Sequence, residues 1–129
     1  MSNVDWNAHD QLKERLEAIG IVAQHFVGVG EWEHLLVDLT RFLRSETLDR
    51  EQAVGVLIGW AASWPWGAVE ALEFTMRELR WPEVHEFLVE QRTESADFRH
   101  RDLAASVLEV FEPEWPGGVI YRTYDPDSA

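Results

Sequence analysis

The stretch WPWGAVEALEFTMRELRWPEVHEFLVEQ, residues 64–91, contains two Trp-Pro pairs, Trp64-Pro65 and Trp81-Pro82. Each pair is followed by apolar residues at helical spacing. Proline is tolerated in the first turn of a helix, because the N–H that it lacks has no intrahelical partner there and its fixed φ already suits the helix. The two pairs therefore predict two helix starts, and with them an all-α fold of stacked helical hairpins rather than a sheet.

These two helices are predicted to cover residues 65–79 and 82–91. Only Arg80 and Trp81 connect them, and two helices joined by so short a connection are usually antiparallel neighbours. We therefore expect the pair to pack together as one hairpin of the stack.

Apolar residues recur at helical spacing along most of the remaining chain and predict four further helices. The first of them has two alternative ends, because Gly20 is a poor helix residue but Ala23 and Phe26 continue the same apolar face. We favour the longer helix, with Gly20 as a weak point. The four predicted helices cover residues 5–27, residues 32–43, residues 49–61, and a segment from residue 95 or 97 to about residue 111.

The third helix is apolar on nearly every side between Ala53 and Ala61, which is the pattern of a central, buried helix. We expect it to be the most buried element of the fold. Gly55 and Gly59 lower its intrinsic helix propensity by roughly 1 kcal/mol each relative to alanine, so packing must compensate. The glycines therefore predict that a neighbouring helix approaches closely at this point.

The helical pattern stops at the run EPEWPGG, residues 112–118, which includes a third Trp-Pro pair, Trp115-Pro116. Residues 119–121 are predicted to form a short extended segment that packs onto the helices. The 129 residues are enough for one domain with a sizeable core. We predict a single α-helical domain over residues 1–129, with residues 112–129 as an irregular tail.

The segment DFRHRDLAASVL, residues 97–108, resembles the HEAT repeat. It has an Asp at position 97, an Arg four positions later, the small pair Ala104-Ala105 and the aliphatic pair Val107-Leu108. This resemblance implies helices stacked closely over small residues, in about two and a half hairpins, as in HEAT and armadillo proteins. A compact helical bundle is the structural alternative.

Acidic residues outnumber basic residues by 24 to 11, which gives a net charge of −13. Nucleic acid and anionic lipid are poor partners for such a chain, because binding to phosphate needs basic residues that replace its counterions. A basic protein is the better electrostatic match. An acidic surface that only keeps the protein soluble is the alternative explanation.

The chain has no cysteine, which excludes disulfides, thiolate metal sites and a cysteine nucleophile. Its N-terminal residues lack the apolar segment of a secretory signal. Its longest nearly uncharged run, residues 53–67, is too short to span a membrane as a helix. We therefore expect a cytoplasmic protein that does not bind membranes.

The sequence contains none of the standard motifs of serine hydrolases, P-loop proteins, dinucleotide-binding proteins or zinc proteases. Glu31 and His34 form one Glu-x-x-His unit, but a di-iron bundle needs this unit twice, with two more carboxylates. We predict no catalytic residue, no metal and no cofactor. An enzyme whose site converges from distant segments remains an alternative.

Glutamates at positions 83, 86 and 90 form an acidic stripe along the fifth helix, and Glu94 continues it. No basic residue stands three or four positions after any of them to compensate the charge, and like charges at this spacing disfavour the isolated helix. A basic ligand would offset this cost, whereas a merely solvated face is the alternative. Glu73 is a weaker candidate, because Arg77 lies one turn later and is expected to pair with it.

Tryptophans at helix ends usually cover the edge of a core, but a partly exposed one beside carboxylates would anchor a partner. Trp81 stands near Glu83, and Trp115 stands next to Glu114. The predicted partner-binding residues are Glu83, Glu86, Glu90, Glu112, Glu114, Trp81 and Trp115.

A short, acidic, cysteine-free helical chain with Trp-Pro helix starts and a HEAT-like segment is similar to the helical immunity proteins of bacterial polymorphic toxin systems. This resemblance implies a protein that neutralises a basic partner, such as a nuclease toxin, by placing carboxylates in its active-site cleft. The two other classes are a non-catalytic helical-repeat adaptor and an enzyme with an unrecognised helical site.

Overall fold

The computed structural model describes residues 3–25, 28–46 and 48–127, and the side chains of these ranges from residue 8 onward. This part of the chain is all-helical, without a strand, which confirms the predicted fold class. None of its helices is long and apolar enough to cross a membrane. The α-helices are α1 (Asn3–His25), α2 (Glu33–Leu43), α3 (Arg50–Ala61), α4 (Ala68–Leu79), α5 (Pro82–Glu94) and α6 (Phe98–Leu108), and the 3-10 helices are Val29–Glu31, Glu109–Phe111 and Pro116–Ile120.

The α-helices stack in two rows. In one row α1, α3 and α5 pack in that order, and in the other α2, α4 and α6 do the same. Contacts between α1 and α2 and between α5 and α6 join the rows. The expected hairpin of α4 and α5 is not the main packing unit, since α5 packs chiefly against α6 and α3. Arg80, with a left-handed backbone (φ 52°), turns the chain from one row into the other instead.

α1 takes the longer of its two predicted paths. It runs through Gly20 without a break and ends at His25. Leu12, Leu16 and Ile19 form its fully buried face. The last two residues predicted for this helix, 26 and 27, lie outside the described part of the chain.

The most buried helix is α4, not α3 as predicted. Six residues of α4 are buried, whereas α3 buries only Ala53, Leu57 and Ala61. The reason is position: α4 has α2 and α6 beside it and the C-terminal segment on top, whereas α3 packs chiefly against α1 and α5. Gly55 and Gly59 are exposed, and a Cβ on either would meet nothing within 4 Å. The predicted close helix approach over these glycines is therefore wrong.

The two Trp-Pro pairs of residues 64–91 have different structural roles. Pro82 lies in the first turn of α5, as predicted. Pro65 precedes α4, which begins at Ala68, because the carbonyl of Pro65 accepts a 3.0 Å hydrogen bond from the N–H of Ala68 and closes a β-turn. Gly67 has φ 84° and ψ −8°, the geometry of the third residue of a type II turn.

The β-turn of residues 65–68 is packed tightly against α1. A Cβ on Gly67 would lie 2.8 Å from the Cγ2 atom of Ile19, so the turn excludes any larger residue there. Trp64, just before the turn, is buried, and its indole Nε1 donates to Oε1 of Gln91 at 3.3 Å. The turn is thereby held between α1 and α5.

The third Trp-Pro pair begins the 3-10 helix Pro116–Ile120, so the predicted extended segment at residues 119–121 is wrong. The glycine pair allows this compact turn, because the ring of Trp115 lies directly on Gly118, where a Cβ would come within 2.8 Å of it. Tyr121 follows and is fully buried against α4. The residues predicted as an irregular tail thus include an ordered 3-10 turn fixed to the helical core.

Candidate partner-binding surface

The acidic stripe of α5 lies on one side of the helix, opposite the buried Val84 and Leu88. Its four members are separated by three or four residues, which places them along a single face. All four are exposed: Glu83, Glu86, Glu90 and Glu94. The predicted stripe is therefore a surface feature.

Glu83 is the one member of the stripe with an ion pair. Nη2 of Arg50, on α3, donates to its Oε1 at 2.8 Å. The pKa of Glu83 is lowered, first by its own backbone N–H at the start of α5 and second by Arg50. Within the described residues, no salt bridge reaches the carboxylates of Glu86, Glu90 or Glu94. The carboxylates of the stripe that have no ion pair therefore lie in the C-terminal two-thirds of α5.

Glu112 and Glu114 are also exposed, and they lie in the segment that follows the 3-10 helix Glu109–Phe111. Arg77 donates from Nη1 to the carbonyl of Glu112 at 2.6 Å and from Nη2 to the carbonyl of Pro113 at 3.1 Å. Arg80 donates to the carbonyl of Phe111 at 3.1 Å. The guanidinium groups of Arg77, in α4, and of Arg80, just after it, thus hold this segment beside α4.

The same segment reaches α5 on the side away from the stripe. The rings of Phe111 and His85 meet edge-to-face with centroids 4.8 Å apart. Helix periodicity places His85 about 100° around α5 from Glu86 and about 140° from Glu90. Among the described residues, no hydrogen bond or ion pair links Glu112 or Glu114 to the acidic stripe.

Glu73 does not pair with Arg77, contrary to expectation. Its Oε1 instead accepts a 2.9 Å hydrogen bond from the hydroxyl of the buried Tyr121. Burial raises the pKa of Glu73 to about 7, with smaller contributions from the nearby Glu70 and Glu109, while the Tyr121 hydroxyl opposes the rise. Glu73 is a structural anchor for the C-terminal segment whose charge state changes near neutral pH.

Glu33 is a second buried acidic residue that the sequence analysis did not single out. Its carboxyl oxygens accept hydrogen bonds from the N–H of Arg122 (2.7 Å), the N–H of Thr123 (2.9 Å) and the Thr123 hydroxyl (2.7 Å). The Tyr124 hydroxyl adds a 2.7 Å hydrogen bond to the carbonyl of Phe74. Together these contacts fix residues 121–124 onto α2 and α4.

Neither of the tryptophans chosen as anchors is free on the surface. Trp81 is buried, with the guanidinium of Arg50 5.0 Å from its ring centroid. Trp115 is half-buried, and its ring lies 5.7 Å from those of Tyr121 and Tyr124. Both rings are part of the packing that joins elements of this chain.

Among the tryptophans whose side chains the structure describes, Trp66 is the exposed one, with 65% of its surface accessible. It lies at the corner of the β-turn of residues 65–68, where a side chain points away from the core. Exposed Ile21 and Ile120 lie on either side of it, in the walls of the two hollows that it separates. Its place in the turn WPWG, outside any helical apolar face, was the sequence signal that could have identified it.

A cleft of about 730 Å³ opens beside Trp66, between the end of α1, the start of α4 and the C-terminal segment. We call it the Trp66 cleft, and its side chains include Gln24, His25, Trp32, Trp66, Glu70 and Ile120. Trp32 is 3% exposed, and its indole Nε1 has no hydrogen-bond acceptor among the described residues. Trp32 therefore lines the Trp66 cleft and has a fully buried donor that the described fold does not use.

The Glu-x-x-His pair does not form a metal site in the described structure. Glu31 ends a 3-10 helix and His34 lies on α2, and both are exposed. Across residues 3–25, 28–46 and 48–127, no three His, Asp or Glu side chains are grouped as metal ligands would be.

Comparison with known protein families, curated proteins and solved structures gave no match.

Proposed function

We propose that this protein is a small acidic binding protein that neutralises a basic protein partner, and that it serves as an immunity protein against a bacterial toxin. The observation that supports this proposal is the exposed row of carboxylates on α5, where Glu86, Glu90 and Glu94 have no ion pair among the described residues. A chain that carries a net charge of −13 and leaves these groups unpaired is suited to a strongly basic surface.

The proposed mechanism is blockade of a basic cleft. A nuclease binds phosphate with lysine and arginine, and a row of carboxylates on a rigid helix presents a similar array of negative oxygens to such residues. Charge of opposite sign accelerates the encounter and disfavours acidic competitors. The association rate of the complex should therefore fall as the salt concentration rises.

The test begins by identifying a partner and then measuring what binding does to it. The product of the gene immediately upstream is the first protein to examine, followed by proteins that the immobilised chain captures from an extract of its own source. The partner's activity is then measured alone and with one equivalent of this protein. Loss of the activity supports neutralisation, and unchanged activity in a confirmed complex contradicts it.

A charge-reversed variant tests the stripe itself. Glu86→Lys with Glu90→Lys should weaken binding strongly, because two attractive groups become repulsive. The matched control is Glu14→Lys with Glu46→Lys, which changes net charge equally at exposed positions elsewhere. Equal binding by the two variants would remove the stripe from the interface, provided that both fold.

An adaptor of HEAT-like architecture is the second candidate. The cleft of about 370 Å³ between α1 and α3 favours it, because Gly55 and Gly59 leave room beside Lys13 and the half-buried Trp60. Such a groove could hold a helix or an extended peptide without inhibiting anything. A partner that binds there and keeps its activity would favour the adaptor.

A further inference from the structure

We propose that the Trp66 cleft binds an extended, basic segment of the protein partner. In this complex a lysine or arginine side chain lies over the Trp66 ring, and a backbone carbonyl of the segment accepts a hydrogen bond from Nε1 of Trp32. The inference rests on the proposed function, because it names the anchor that the acidic stripe of α5 lacks. Its occupant is a peptide segment of another protein.

The Trp66 ring is available for a cation from outside the molecule. Four other aromatic rings of this chain already have an arginine of the chain beside them, at 4.1–5.8 Å from the ring centroid. These pairs are Arg15 with Phe42, Arg50 with Trp81, Arg77 with Trp115 and Arg101 with Phe98. Within the described residues, Trp66 has no such arginine, although tryptophan offers the strongest face for a cation.

The charges around the ring have the sign that a basic segment requires. Glu70 lies in the wall of the Trp66 cleft, and Glu17 lies in the adjoining hollow on the other side of Trp66. The described side chains that line these two hollows include no lysine or arginine. A cation placed between ring and carboxylates is attracted by both.

Trp32 indicates that the ligand of the Trp66 cleft also carries a hydrogen-bond acceptor. A buried indole N–H without a partner costs free energy, and this cost disappears when a ligand supplies an oxygen. The cleft volume of about 730 Å³ is in the range of sites that enclose whole ligands, so it has room for several peptide units. In a peptide that binds there, a backbone carbonyl accepts from Trp32, an apolar side chain packs on Ile120, and a basic side chain pairs with Glu70.

The anchor is preorganised, which lowers the entropy cost of binding. Gly67 fits against Ile19 so closely that a Cβ would approach to 2.8 Å, and the buried Trp64 is hydrogen-bonded to Gln91. The second contact also ties the turn to the half of α5 that carries Glu90 and Glu94. The exposed Trp66 ring is therefore carried by a turn that is fixed on both sides.

The test uses the whole protein and three synthetic probes. The basic probe is the acetylated and amidated peptide Gly-Leu-Arg-Leu-Gly, and the matched probes carry citrulline or Glu in place of Arg. The indole N–H signals in ¹⁵N–¹H spectra report binding, with those of Trp32 and Trp66 assigned from Trp32→Phe and Trp66→Phe. The Trp64 signal is the internal control, because its N–H is already bonded to Gln91.

We expect the Arg peptide to shift the Trp32 and Trp66 signals in a saturable manner while the Trp64 signal stays in place. Citrulline has the shape of arginine without the charge, so it should bind more weakly, and the Glu peptide should not bind. Equal shifts with all three peptides, or no shift with the Arg peptide, would overturn the proposal. So would shifts of the same signals on concentrating the protein alone, because the cleft would then be occupied by a second copy.

Two variants complete the test. Trp66→Ala should lower the affinity for the Arg peptide about tenfold, because it removes the aromatic ring on which the cation lies. Phe98→Ala is the matched control, since Phe98 is 69% exposed on α6, and it should bind as the parent does. Equal affinities of the two variants would exclude Trp66 as the anchor.

The outcome is separable from that of the proposed function. If Trp66→Ala neutralises a partner as efficiently as the parent does, the Trp66 cleft does not bind the partner. The proposed neutralising function would be unaffected by that result. Saturable peptide binding in a protein that neutralises no partner would support the cleft and contradict the function.

Discussion

The acidic residues under the C-terminal segment and those on α5 have the same chemistry in opposite surroundings. Glu33 and Glu73 are largely buried and accept hydrogen bonds from residues 121–123. Glu86 and Glu90 are exposed and have no ion pair within the described residues. The first pair should matter for folding and the second for binding, because desolvation makes a buried carboxyl depend on its partners while water satisfies an exposed one.

This contrast also separates two kinds of evidence for a site. Glu73 has the strongly raised pKa that often marks a functional group. In this protein, however, burial is the main cause of the raised pKa, and Glu73 binds the hydroxyl of Tyr121 in the docked C-terminal segment, so a structural role accounts for its position. The importance of the acidic stripe of α5 depends instead on exposed charge that the described fold leaves without an ion pair.

Replacement of Glu33 should have the largest effect on stability. Glu33→Ala removes the acceptor of three hydrogen bonds and leaves two backbone N–H groups without their partner, so we expect the free energy of unfolding to fall by about 4 kcal/mol. Urea unfolding followed by tryptophan fluorescence measures this change. Glu31→Ala, at an exposed position on the preceding turn, should change stability by less than about 0.5 kcal/mol. Similar effects of the two substitutions would contradict the anchoring role of Glu33.

Glu73 should give the fold a pH dependence. Because its pKa is raised from 4.5 to about 7, the folded protein binds more protons than the unfolded chain between these values. The contribution of Glu73 to the free energy of unfolding is therefore fully present below pH 4.5, and it is lost as the pH rises through about 7. Glu73→Gln, which stays neutral, should be more stable than the parent by roughly 3 kcal/mol above pH 7 and similar to it near pH 4.5.

Unfolding by urea across this pH range tests the dependence on Glu73. Tyr121→Phe is the informative companion, because it keeps the ring and removes the hydroxyl that opposes the pKa rise. In that variant the decline of stability should extend to higher pH. Parallel pH profiles for the parent and Glu73→Gln would show that Glu73 is not the responsible group.

Arg50 should have an effect between those of the buried carboxyls and the unpaired stripe, since it contacts both Glu83 of the stripe and the buried Trp81. Arg50→Ala removes the guanidinium from the ring of the buried Trp81 and should lower the free energy of unfolding by about 1 kcal/mol. Glu83→Gln keeps that ring contact and should have a smaller effect, because the ion pair with Arg50 is exposed. Thermal unfolding at low and high salt distinguishes them, and equal losses in both variants would assign the effect to the ion pair.

Neutralising the free stripe should change stability least of all. Glu86→Gln with Glu90→Gln removes repulsion between like charges one turn apart, so we expect a gain of roughly 0.2–0.5 kcal/mol in low salt. The same variant should bind a basic partner more weakly. Circular dichroism at increasing temperature measures the gain, and a clear loss of stability would mean that these carboxylates support the fold.

Helical spacing predicted the existence and type of the six helices and the exposed face of α5, because these depend on neighbours three and four residues away. The sites that depend on distant neighbours were predicted less well. Glu33 begins a helix and has no distinguishing sequence pattern, yet residues 122 and 123 bury and bond it. Trp81 and Trp66 both stand at helix ends, but the first is 6% exposed and the second 65%.

The chain of 129 residues carries its helical class, its large acidic excess and its acidic stripe in the local order of its residues, since periodicity and charge are properties of neighbouring positions. Which carboxyl is buried, which tryptophan is exposed and which glycine is tightly packed are settled only when remote segments meet. Desolvation and close packing arise from the full set of neighbours around a side chain, and most of those neighbours are far away along the sequence.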